Sequence, residues 1–144
     1  MTKFSLVMAS DGSEGALKAA HWLAHHFDTE DIQRLTVLSV GHHPAVMGSA
    51  TFNQMPAYAM AMEEAADEDA KQATTVTMEV LKKFSTQGTV ISGGSVVPAI
   101  VSYLHDHPAD ALVVGKSGHS IKNLLGSVSG GLVNQSPIPV WVIG

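Results

Sequence analysis

Apolar and polar positions change their period repeatedly along this chain. Phe4 to Ala9 is a short apolar run, and Ala16, Ala19, Ala20, Leu23, Ala24 and Phe27 then recur at three- and four-residue steps. The run predicts a strand, and the stepped set predicts a helix with one buried stripe. Asp11-Gly12-Ser13-Glu14 joins the two: Asp and Ser suit an N-cap, and Glu14 in the first turn complements the helix dipole. Leu35 to Val40, rich in β-branched residues, predicts a second strand. A loop with two Gly and two Pro residues follows, from Gly41 to about Pro56. Met62, Ala66, Ala70, Ala73, Val76, Val80 and Phe84 then hold helical spacing, predicting a long helix over roughly 57–84 that Gly88 closes. Thr89 to Ser92 reads as a third strand, and Gly93-Gly94-Ser95 leads into a helix reaching about His105. Pro98 falls in that helix's first turn, where a missing N–H does little harm. Ala111 to Val114 is a fourth strand, followed by a glycine-bearing loop to Ser127, a short helix and a last strand, Pro139 to Ile143.

Strand alternating with helix throughout predicts a doubly wound α/β fold, a five-stranded parallel sheet with helices on both faces in three layers. No repeat, low-complexity tract or linker interrupts it, so residues 1–144 read as one domain. The 144 residues are 45% hydrophobic and 15% charged, a composition able to bury a core. No apolar run approaches the roughly 20 residues of a membrane-spanning helix, and the first residues carry no cleavable signal pattern. With no cysteine in the chain, the expectation is a reducing, cytoplasmic setting. Net charge is −5 and the eight Lys and Arg residues are scattered, which disfavours an extended nucleic-acid partner. A single nucleotide needs no basic patch, because backbone N–H groups at a helix start can hold its phosphates.

In a doubly wound sheet, ligands settle beyond the carboxyl ends of the strands, where strand order reverses. The segments to inspect are Ser10-Asp11-Gly12-Ser13, Val40-Gly41-His42-His43, and Gly115-Lys116-Ser117-Gly118 on to Gly126-Ser127-Val128-Ser129. Glycines let a backbone approach a ligand, so the N–H groups of the third segment can converge on phosphate oxygens, with the Ser127 hydroxyl beside them. Spacing alone leaves a second reading equally open, a plain crossover loop with Ser127 as an N-cap. Asp11 likewise reads as a ligand contact or as a helix cap, and Lys116 and Lys122 as phosphate contacts or as solvated loop residues.

Asp-Gly-Ser-Glu after the first strand, Gly-x-x-Gly and then Gly-Ser-Val-Ser after the fourth, and the closing Ser136-Pro137-Ile138-Pro139-Val140 together resemble the universal stress proteins over nearly the whole chain. The resemblance implies an ATP-binding module, with room for an accompanying Mg²⁺, a regulatory or stress-response role and a homodimer. It implies phosphates on Gly115, Gly118, Gly126, Ser127 and Val128, ribose on Asp11, and adenine on the backbone of Val40. With the flanking Ser10 and Ser129, these form the candidate nucleotide-binding set. Two departures stand out. His119 to Leu125 places seven residues between the second glycine and the Gly-Ser pair, where the family's ATP-binding pattern has nine. Gly130 and Gly131 replace good helix formers, so the last helix is expected to be short or bent.

The apolar edge of Val140 to Ile143 is a surface a partner chain could cover. That leaves a dimeric interaction protein without nucleotide as the second reading. A slow ATPase ranks third, since no general base or arginine clamp marks the phosphate loop. His21 and His25 stand four apart on the first helix, a chelating spacing, but read as surface histidines.

Overall fold

Strand β1, Phe4–Ala9, has both faces covered, and its side chains show how the layers form. Leu6 and Met8 point into one core, with Ala19, Ala20 and Leu23 of helix α1 (Glu14–His26). Val7 points into the other, with Ile100 and Leu104 of helix α3 (Val96–Asp106) and Leu132 of helix α4 (Ser127–Gln135). All of these residues are buried. A strand buried on two sides loses its polar alternation, which is why β1 and β4 (Ala111–Gly115) read as unbroken apolar runs.

The computed structural model describes residues 3–42, 56–116 and 126–144. The remaining elements are β2 (Ile32–His42), α2 (Pro56–Val80), β3 (Thr86–Gly93) and β5 (Val140–Ile143). The five strands pair in the order β3-β2-β1-β4-β5, every pair parallel. The end of α2 and the turn after it contribute Leu81 and Phe84 to the α1 face, so α1 and α2 cover one side and α3 and α4 the other. This is the doubly wound α/β sandwich expected from the alternation.

Several boundaries differ from the sequence reading. Helix α2 stops at Val80, not near Phe84. Leu81 N–H shares the carbonyls of Thr77 and Met78 (3.2 and 3.1 Å), and Phe84 N–H bonds back to Leu81, so the chain tightens into a turn. Phe84 keeps helical spacing and is buried, but it is not helical. Gly88 does not close the helix. It lies inside β3, where a Cβ would stand 2.6 Å from Thr74 Cγ2 and 2.8 Å from Met78 Sδ, so its bare backbone lets α2 pack down onto the strand. Strand β2 begins at Ile32, three residues before the apolar run, because Ile32 pairs with Phe4. Helix α4 is short, as expected. Its Gly131 leaves room for Val97 of α3, whose Cγ2 lies 2.9 Å from where a Cβ would stand.

Strand β5 forms one edge. Trp141 and Ile143 join the α1-side core, and Val140 and Val142 the other. The Trp141 ring stacks on Phe27 at 5.9 Å and meets Phe4 edge-on at 5.6 Å. Among the described residues, no helix is long and apolar enough to cross a membrane.

Candidate functional site

The chain leaves β1 toward β2 and β3, while β4 and β5 lie on its other side, so strand order reverses between β1 and β4. A cavity of about 450 Å³ opens at the carboxyl ends of the strands there. Ala9 to Asp11, Leu38 to Val40 and Val114 to Lys116 form its floor. Ser13 and Glu14 at the start of α1 and Asp69, Ala70 and Ala73 of α2 form one wall, and Val96 and Ile100 of α3 with Gly126 to Ser129 form the other. Eight of the nine candidate residues thus line one cavity: Ser10, Asp11, Val40, Gly115, Gly126, Ser127, Val128 and Ser129. Gly118, like Lys122, lies outside the described residues.

Each floor segment has its own geometry. Ser10 N–H donates to the Leu38 carbonyl (2.9 Å), so the backbone groups of Leu38 face β1. Strand period is two, so those of Val40 face the same side, past the last residue of β1. A donor and an acceptor therefore border the cavity at the end of β2. Asp11 Oδ1 accepts from Ser13 N–H (2.9 Å), closing an Asx turn. The cap itself is Ser13, whose hydroxyl accepts from Ala16 N–H (3.3 Å), and Asp11 stays exposed with a second oxygen the turn does not need. Gly12 has φ +75°, and a Cβ there would lie 3.1 Å from Ala73 Cα. The turn thus demands glycine on both conformation and space.

At the opposite wall, Gly126 is the N-cap of α4 and makes no side-chain cap bond, so Ser127 is the first helical residue and not the cap. The first backbone bond of the helix runs from Gly130 N–H to Gly126 carbonyl (2.8 Å). The amides of Ser127, Val128 and Ser129 therefore lack acceptors within the helix. The Ser129 hydroxyl donates to the Gly115 carbonyl (2.8 Å), fastening this amide cluster to the end of β4.

A buried hydroxyl network stands behind the floor. Thr77 donates to the Ala73 carbonyl (2.7 Å), so its oxygen accepts from Ser10 Oγ (2.7 Å), which itself accepts from Gly12 N–H (3.1 Å). Ser39 donates to the Ser10 carbonyl (2.9 Å), and Thr74 Oγ1 lies 2.9 Å from Ser39 Oγ. Four buried hydroxyls, one just after β1, one on β2 and two on α2, thus set the height of the Ser10–Gly12 turn above the sheet. Replacing Thr77 by Val removes the acceptor of the buried Ser10 hydroxyl. Thermal unfolding is expected to show a loss of about 1–3 kcal/mol; an unchanged melting temperature would mean that Ser10 does not rely on Thr77.

Sequence reasoning missed Ser39, Thr74, Thr77 and Asp69. Their signal was present but faint: Thr74 and Thr77 fall on the Ala70–Ala73 stripe, where hydroxyls interrupt an otherwise apolar helix face. Among the described residues no three His, Cys, Asp or Glu side chains are placed to hold a metal ion. His21 and His25 are exposed, and the nearby His26 ring stacks on Trp22 at 4.3 Å.

The universal stress protein family model matches residues 5–144. The chain belongs to that family. Solved members share its fold at low identity. The UspA protein from Lactobacillus plantarum is 22% identical, with all of both chains covered and a TM-score of 0.68. A universal stress protein from Archaeoglobus fulgidus in complex with dAMP is 17% identical over all of both chains, with a TM-score of 0.64. A family protein from Arabidopsis thaliana with AMP bound is 19% identical, covers 96% of this chain and 90% of its own, and also has a TM-score of 0.64. No curated protein matches the chain in sequence. Within this universal stress protein, the cavity is bounded by Asp11, Glu14 and Asp69 as carboxylates and by Lys116 as the one described cation.

Proposed function

We propose that this universal stress protein is an adenine nucleotide-binding module, with ATP among its ligands and a regulatory role in the stress response. The observation that carries the reading is the pairing of two backbone sites across one cavity. Val40 offers a donor and an acceptor to the edge of a base, and α4 offers the amides of Ser127, Val128 and Ser129 to a phosphate. Asp11, between them, suits the ribose hydroxyls. Gly115 and Gly126 carry the backbone past the phosphate, Ser10 supports the Asp11 turn, and Gly118 belongs to the same phosphate loop. The dAMP and AMP complexes of two family members support the same ligand class. Mg²⁺, where it accompanies a nucleotide, rides on the phosphates, since the described carboxylates do not converge on a common ion.

The absorbance ratio at 260 and 280 nm of the purified protein, followed by calorimetric titration with AMP and ATP, tests this. Binding that weakens on Gly126→Pro is the expected result. A folded protein that takes up no adenine nucleotide would overturn the reading and favour the second one, a dimeric interaction protein.

A cytoplasmic homodimer of a one-domain chain is part of the same proposal. The edge strand β5 presents Val140–Ile143 only partly buried, and a second copy pairing along it would remove that edge. Light scattering on the wild type and a Val142→Lys variant tests the contact.

A further inference from the structure

We infer that the outer face of α1 carries a second ligand site, an open pair of imidazoles from His21 and His25 that chelates a divalent transition-metal ion, Cu²⁺ or Ni²⁺. It does not depend on the nucleotide reading. The two histidines stand one helical turn apart, which sets their Cβ atoms about 5–6 Å from each other on one face. Both are exposed, while Ala19, Ala20 and Leu23 turn the opposite face into the core. The adjoining pair shows that side chains at this spacing meet here. The His26 ring stacks on Trp22 at 4.3 Å, and its Nδ1 donates to the Trp22 carbonyl (2.9 Å). His26 is thereby held against Trp22, and His25 meets it edge-on at 5.1 Å. Among the described residues, no hydrogen bond engages a ring nitrogen of His21 or His25.

The place on the helix favours a cation. His25 lies in the last turn of α1, at the negative end of the helix dipole. Asp28 and Glu30 follow it, both exposed, whereas the helix carries a single Lys or Arg, Lys18, nearly a turn before His21. Imidazole nitrogen suits copper, nickel and zinc; magnesium and calcium prefer oxygen. No third protein ligand is placed among the described residues, so water completes the coordination. A structural zinc site closes with four protein ligands, whereas an open pair of nitrogens suits the tetragonal Cu²⁺ or Ni²⁺. The site also stands apart from the cavity. Glu14 lines that cavity, and His21 lies seven residues further on, about 10 Å along the helix axis.

Titration of the full chain with CuCl₂, followed by calorimetry and by tryptophan fluorescence, tests the site. Trp22 follows His21 directly and is 37% exposed, so a paramagnetic ion held by the pair quenches it. His21→Asn and His25→Asn are each expected to weaken the quenching site about tenfold or more. The double variant should be little worse than either, because one substitution already breaks the chelate. His105→Asn, at an exposed position on α3, should change nothing. Circular dichroism of these surface variants should match the wild type. Electron paramagnetic resonance of the copper-bound chain should show two imidazole nitrogens, falling to one in either single variant, and excess Mg²⁺ should not displace the copper. Affinity within about twofold of the wild type in either single variant would overturn the inference. So would losses that simply add in the double variant, since they describe two separate histidines and no chelate.

Discussion

Replacing Ser127 by Glu is expected to weaken AMP binding about 100-fold while leaving the protein as stable as before or slightly more so. The two effects separate because one carboxylate has two different consequences at the start of α4. Ser127 is the first helical residue, exposed, beside amides that have no acceptor within the helix. A glutamate there complements the helix dipole, which favours folding by about 0.3–1 kcal/mol. It also occupies the electrostatic place of the phosphate, and one like charge about 5–6 Å from a single phosphate charge costs about 3 kcal/mol at an effective dielectric constant near 20. Ser127→Ala removes only a hydroxyl donor and should cost no more than about tenfold. Adenosine has no phosphate, and its affinity should be nearly unchanged by either variant. Titration calorimetry alongside thermal melts checks all of this. If Ser127→Glu binds AMP within threefold of the wild type, the phosphate does not sit on α4.

What the sequence made legible follows from how each element is buried. Strands β1 and β4 and helix α1 were readable because their apolar residues face protein on every available side, so pattern and structure coincide. Strand β3 was harder. It is an edge, paired only with β2, and its polar Thr86 and Gln87 hydrogen-bond in the sheet without any apolar signal. The end of α2 was misjudged because Phe84 is buried at a helical interval by a turn that happens to preserve the spacing. The cavity floor was legible from topology alone, since the segments after β1, β2 and β4 must meet where strand order reverses. Its wall was not. Helix α2 runs back over the sheet and brings Asp69, Thr74 and Thr77 to β1 and β2 from far along the chain, and residue spacing carries no record of that return.

Gly115 shows how one residue can satisfy two demands, and its substitution separates them. The sequence reading assigns it to the phosphate. The structure adds a steric reason that operates with no ligand at all: a Cβ at Gly115 would lie 2.7 Å from the carbonyl carbon of Gly15, closer still to its oxygen, and 3.0 Å from Ala16 N. These are backbone atoms in the first turn of α1, and no side-chain rotamer can relieve the clash. Either β4 or α1 has to move, and both are packed against the central strand β1. Gly115→Ala is therefore expected to cost about 3 kcal/mol, the upper end of the usual range for overpacking. For a chain of this length that is a fall of about 10 °C in melting temperature. A glycine kept only for phosphate approach predicts the reverse, an unchanged melt without ligand and a loss confined to nucleotide affinity. The ligand-free melting curve of Gly115→Ala decides between them, and a curve superimposable on the wild type would mean that β4 and α1 do not approach as closely as the fold describes.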